Sequence, residues 1–122
     1  MTTDGNRLRP QDLLRVTTYH SGDAVVLAVS GEVDLLSAPV LGKEITAALD
    51  GVPALLVIDL TDVSFLASIG ITALLEARRQ AQPGTQVRVV APAQSVVERT
   101  LRLTGLIEAL AVTSTRADAL AG

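Results

Sequence analysis

The stretch "PALLVIDL", Pro53 to Leu60, constrains this chain more than any other. It is a near-continuous apolar run interrupted by one aspartate. A strand with one wet face alternates apolar and polar residues. This run instead fits a central strand covered on both faces, or on one face and by a neighbouring helix. A length of 122 residues is enough for one core. Hydrophobic residues make up 48% and aromatic residues only 2%, so Val, Leu, Ile and Ala must fill that core.

The flanking segments supply the covering elements. "LLRVTTYH" (Leu13 to His20) and "AVVLAVS" (Ala24 to Ser30) read as strands joined by the turn signal "SGD", hence a hairpin. "GEVD" (Gly31 to Asp34) breaks the second strand. In "LLSAPVLGKEITAALDG", Ser37 is an expected N-cap, Pro39 falls in the first turn, and Leu41, Ile45, Ala48 and Leu49 form one apolar face. Asp50-Gly51 stops that helix.

After the central strand, "TDVSFLASIG" leads into a helix from about Ser68 to Gln82, with Ile71, Leu74 and Leu75 as its expected buried face. "QVRVVA" (Gln86 to Ala91) is another strand. A helix in "PAQSVVERTLRLTG" places Val97, Leu101 and Thr104 on one stripe and pairs Glu98 with Arg102. Glu108 to Val112 reads as a short edge strand, and a terminal helix starts at Ser114 or Thr115. Strands alternating with helices predict an α/β fold: a small mixed, mostly parallel sheet of four or five strands packed with about four helices. Residues 1–10 are polar and are expected to be a flexible tail, leaving 11–122 as a single domain.

Composition excludes several functions. There is no cysteine, so no disulfide, thiol nucleophile or thiolate metal site. The one histidine, His20, cannot build a multi-histidine site, and no metal or cofactor is expected. The carboxylates Asp34, Asp59 and Asp62 fall in no metal-binding pattern, and no Gly-rich phosphate loop occurs. A net charge of −3 without basic clusters gives no nucleic-acid footprint. "MTTDGNRLRP" has no signal-peptide core, and no apolar run nears the ~20 residues that span a bilayer. The expectation is a non-enzymatic, cytoplasmic protein with no membrane insertion.

Ser68 is the group that invites a function. It stands alone between small and apolar residues where a loop hands over to a helix. As an N-cap it would accept a hydrogen bond from the N2 or N3 amide, worth ~1 kcal/mol. A phosphate on it would meet free N–H groups and the positive end of the helix dipole. Asp34, just past another strand, belongs to the same rim, where open α/β sheets keep functional loops.

Three blocks, "VSGEVDLLSAPVL", "LVIDLTDVSFLASIGITALLEA" and "VRVVAPAQSVVERTLRLTGL", resemble the STAS domain of bacterial anti-sigma factor antagonists. The likeness runs from about Leu13 to the C-terminal helix. An Asp-Ser-Ser-Gly-Leu type motif opens the second helix in this family, and its match here is Ala67-Ser68-Ile69-Gly70-Ile71. Ala67 stands where aspartate is common, and Ile69 replaces the second serine. Ser64 and Thr72 are the nearby alternative hydroxyls. The family's GELD-like element falls on Gly31 to Asp34.

The resemblance implies that the unphosphorylated protein binds an anti-sigma factor of the histidine-kinase-like ATPase type, which then releases its sigma factor. Phosphorylation at Ser68 by that kinase would switch binding off, and a phosphatase would restore it. The implied partner-binding residues are Asp34, Ala67, Ser68, Ile69, Gly70 and Thr72, with Gly70 letting a partner backbone approach. A monomer or weak dimer is expected. The competing role is a STAS accessory subunit of a membrane transporter complex for lipid or anions; a nucleotide or small-ligand sensor is a third.

Overall fold

The computed structural model describes residues 10–121. Of the tail expected at residues 1–10, residues 1–9 lie outside the described residues, whereas Pro10 opens a short helix, α1 (Pro10–Leu13), that the sequence did not announce. The elements then follow as β1 (Leu14–Ser21), β2 (Ala24–Val33), α2 (Ala38–Asp50), β3 (Leu55–Leu66), α3 (Ser68–Gln80), β4 (Gln86–Val90), α4 (Val96–Leu103) and α5 (Arg116–Ala121). The sheet has four strands in the order β1-β2-β3-β4. β1 and β2 are antiparallel, whereas β2, β3 and β4 run parallel.

The central run packs on both faces, as its composition demands. Leu56, Ile58 and Leu60 join Leu27, Leu41, Ile45, Leu74, Val97 and Leu101 in one core beneath α2, α3 and α4. Each such side chain contributes ~1.5–3 kcal/mol by leaving water, so this face dominates the stability. The opposite face holds a smaller cluster of Val26, Val57 and Val90, closed by Ala119 of α5.

β3 is longer than the apolar run predicts, because "TDVSFL" continues it rather than forming a loop. Its register against β2 slips between Ala28 and Ser30 and again between Gly31 and Glu32. Each slip inserts one extra β3 residue, a bulge. The core residues of β3 are therefore Leu56, Ile58, Leu60, Val63 and Leu66, with the last two spaced by three. "GEVD" likewise does not end β2, which runs to Val33. Gly31 accommodates the irregularity at φ 110°, where a side chain would collide with the Leu13 carbonyl.

Four further expectations are corrected. Leu75 faces outward on α3, and the buried positions are Gly70, Leu74 and Ala77. Thr104 is exposed and serves as the C-cap of α4, so only Val97 and Leu101 are buried there. Glu108 to Val112 forms turns, not a strand, with Ala111 at φ 48°, and only Thr113 bridges to Val90. Ser37 precedes α2 in a helical conformation and makes no cap bond to it. The terminal helix does begin as expected, with the Thr115 hydroxyl accepting from the Asp118 amide at 3.0 Å.

Candidate functional site

The parallel pair β2 and β3 ends in register, Val33 opposite Leu66. The next residues of each strand, Asp34 and Ala67, therefore emerge side by side on one rim. The Ala67 amide donates to the Val33 carbonyl at 2.8 Å and fixes where α3 starts. Ala67, not Ser68, is the N-cap: its φ of −80° and ψ of 168° are extended, and as alanine it offers no side-chain cap. Ser68 is the first helical residue. Its hydroxyl is exposed and makes no hydrogen bond within the described residues. The first amides of α3 are thus left without a side-chain acceptor.

Other hydroxyls near this rim are engaged. Thr72 Oγ1 donates to the Ser68 carbonyl at 3.2 Å, and Ser64 Oγ to the Gly31 carbonyl at 3.3 Å. Ser37 is fully buried and donates to the Glu32 carbonyl at 2.6 Å, while accepting from the Asp34 amide at 2.9 Å. A serine nucleophile would need a base beside it. His20 lies on β1 opposite Val25, near the start of β2 and at the other end of the sheet from Ser68.

Asp34 anchors its own loop. Its Oδ1 accepts from the amides of Leu36 and Ser37, both at 3.0 Å. The Ser37 amide above all, helped by the Ser37 hydroxyl and the Leu36 amide, holds this carboxyl below its usual range against a smaller opposing effect of burial. Asp34 is therefore an anion at neutral pH on the rim that also carries Ser68.

Gly70 does not offer itself to a partner backbone. It is buried, and a Cβ there would lie 2.6 Å from both Val33 Cγ1 and Leu66 Cδ1. Glycine is required because α3 crosses the ends of β2 and β3 in contact with their side chains. Ala67 is half-buried, while Ile69 and Thr72 are exposed beside Ser68.

The structure adds residues that sequence reasoning missed. Leu35 is 75% exposed, Leu36 is 59% exposed, and Phe65 is also exposed. Leu35 and Ile69 meet beside the start of α3, while Leu36 follows Leu35 in the chain and Phe65 lies near the end of β3. A shallow depression of about 280 Å³ lies between the first turns of α2 and α3, lined by Leu35, Ala38, Pro39, Ile69, Thr72 and Ala73. The signal was the Leu35-Leu36 pair, two large apolar residues outside any amphipathic period.

Comparison with known proteins adds to this geometry. The STAS domain model matches residues 15–119.

The chain belongs to the STAS domain family.

It is 35% identical over 111 residues to the anti-sigma-F factor antagonist RsfB of Mycobacterium tuberculosis, covering 91% of this chain and 90% of that one. The crystal structure of an anti-sigma factor antagonist from Mycobacterium paratuberculosis superposes with a TM-score of 0.84 at 33% identity, covering 93% of this chain and 97% of that one. The phosphorylated form of the Bacillus cell fate determinant SpoIIAA shares the fold, with a TM-score of 0.64 at 18% identity over 87% of this STAS chain and 96% of that one. The mixed four-stranded sheet is thus the STAS architecture.

Proposed function

We propose that this chain is an anti-sigma factor antagonist that acts by binding and not by catalysis. In this reading residues 11–122 work as one domain in the cytoplasm. The unphosphorylated form binds an anti-sigma factor of the histidine-kinase-like ATPase type, through the rim formed by Asp34, Ala67, Ser68, Ile69 and Thr72. Leu35, Leu36 and Phe65 extend that surface. Binding frees a sigma factor. The kinase activity of the same partner phosphorylates Ser68 and ends the complex, and a phosphatase resets it. No direct contact with nucleic acid or membrane is involved. The relatives named above, antagonists of anti-sigma factors at 35% and 33% identity, support the class of partner.

One observation carries the switch: the Ser68 hydroxyl is exposed and makes no hydrogen bond among the described residues, and its neighbour Ile69 shares an apolar depression with the exposed Leu35. A kinase can reach it without unfolding anything. The product adds about −2 charge. Within the free protein that charge meets the uncapped amides of α3 and is tolerated. Within a complex it would be buried against Leu35, Leu36, Phe65 and Ile69, where desolvation of an ion is costly. Binding is lost without any refolding of the antagonist.

Incubation with ATP and candidate anti-sigma kinases, followed by mass-spectrometric mapping, tests this. The expected phosphate is on Ser68. A phosphate confined to Ser64 or Thr72, or none with a kinase that binds the protein, would contradict the assignment.

A further inference from the structure

The two faces of the sheet are covered unequally. Leu41, Ile45, Leu74 and Leu101 of α2, α3 and α4 seal one face over the main core. On the other face Val26 of β2, Val57 of β3 and Val90 of β4 are buried with Ala119 of α5, and Leu55 and Leu120 pack partly against them. α5 has six residues. Isolated helices shorter than about 12 residues are marginal in water, so α5 depends on what holds it down. Of its own side chains only the Ala119 methyl is buried. Polar contacts at its two ends add the rest of the hold. At the start, Arg116 Nε donates to Asp59 Oδ2 at 2.8 Å, and the guanidinium lies 5.3 Å from the centre of the Tyr19 ring. At the end, Arg88 Nη1 donates to the Ala119 carbonyl at 2.6 Å.

The chain just before α5 is tied to the sheet. The Thr113 amide donates to the Val89 carbonyl and the Ala91 amide to the Thr113 carbonyl, both at 2.9 Å. Between that anchor and α5 lie Ser114 and Thr115, both exposed and in a bend. The contact across them, Thr113 Oγ1 donating to the Thr115 carbonyl at 3.1 Å, is at the surface. Rotation at these two residues moves α5 without breaking a strand pair. The groups that hold α5 also keep partners once it lifts. Asp59 retains the Thr61 hydroxyl and amide and gains water, and Arg88 retains Gln86 Oε1. Arg116 is exposed already. Opening therefore strands no buried charge, and its cost is the renewed hydration of three valines and the loss of the end contacts.

We propose that α5 is a hinged strap, latched by the Asp59–Arg116 pair. It lifts as a unit at Ser114 and Thr115 while β1 to β4 and α2 to α4 stay folded, and it uncovers the strip of Val26, Val57 and Val90. Cooperative segments with few buried contacts open locally below the cost of global unfolding, and α5 is such a segment. The strap lies on the opposite face of the sheet from α3, and the inference does not depend on the function proposed above.

Amide hydrogen exchange of the full chain, read residue by residue at rising urea below the unfolding transition, tests this. The amides of Asp118, Ala119 and Leu120 are expected to share one exchange free energy. It lies below that of Val57 and Ile58 in β3 and has a smaller urea slope, because less surface is exposed. Arg116→Ala and Asp59→Asn each speed exchange of the three α5 amides at least about tenfold. The double variant speeds it by less than the product of the two, because both changes undo one latch. Circular dichroism like that of wild type shows that each variant keeps the fold. Three results would overturn the proposal: α5 amides with the same free energy and slope as those of β3, protection graded from the C-terminal end as in simple fraying, or α5 exchange that neither substitution alters.

Discussion

The Ala67 amide donates to the Val33 carbonyl at 2.8 Å, tying the first residue past β3 to the last residue of β2. This bond sets the start of α3, and with it the position of the Ser68 hydroxyl. Residues on either side of it differ in kind. Gly70 and Val33 face the core, whereas Ser68 and Ile69 face out.

Gly70→Ala is expected to destabilise the protein. The new methyl meets Val33 and Leu66 at 2.6 Å, and both side chains are buried. Alanine gains up to about 1 kcal/mol over glycine inside a helix, but overpacking a core costs about 1–3 kcal/mol. The net loss is checked by urea unfolding. Adding Val33→Ala removes one of the clashing side chains, so the double variant loses less than the sum of the two single ones.

Ala67→Asp or Ala67→Ser is expected to stabilise. Ala67 already has the extended N-cap conformation and lacks only the acceptor. Supplying it gains about 1 kcal/mol, seen as a higher thermal midpoint. In the aspartate variant a phosphate on Ser68 would sit beside a carboxylate, so the gain shrinks on phosphorylation.

Asp34→Ala frees the amides of Leu36 and Ser37, whose acceptor is Oδ1. Hydrogen exchange at these two amides is expected to accelerate. Asp34→Asn retains an acceptor oxygen and keeps most of the protection. Equal exchange in Asp34→Ala and wild type would show that the loop is held by other groups.

The buried Asp59 predicts a pH dependence. Burial pushes its carboxyl up, but the Thr61 hydroxyl and amide and the Arg116 guanidinium together hold it below its usual value. A depressed carboxyl adds stability above its unfolded value, about 4, and loses it as pH falls further. Asp59→Asn is expected to flatten part of the acid limb of the stability curve. Arg116→Ala leaves the buried carboxylate without its 2.8 Å partner and costs about 1–3 kcal/mol at neutral pH, by chemical denaturation.

The element order and the central strand were legible because apolar periodicity reports burial directly. The rest was hidden for local reasons. The end of β3 read as a loop because two bulges break its alternation, moving Val63 and Leu66 to the core by steps of three. Ser37 and Ser68 both read as caps, since cap propensity is a matter of residue type. What each does is decided by backbone conformation: Ser37 is helical and turns its hydroxyl back to Glu32, and Ser68 lies one residue inside the helix. The rim position of Ser68 and Asp34 followed from the βα order alone. The apolar depression shared by Leu35 and Ile69 did not, because it depends on the fold that brings α2 and α3 together.

In the proposed switch, charge at Ser68 ends partner binding while the fold stays intact. Titration calorimetry of wild type, Ser68→Ala and Ser68→Glu against the cognate anti-sigma factor tests it most directly. Ser68→Ala is expected to bind with wild-type affinity and Ser68→Glu at least about tenfold more weakly, equivalent to ~1.4 kcal/mol. Equal affinity of all three would contradict it.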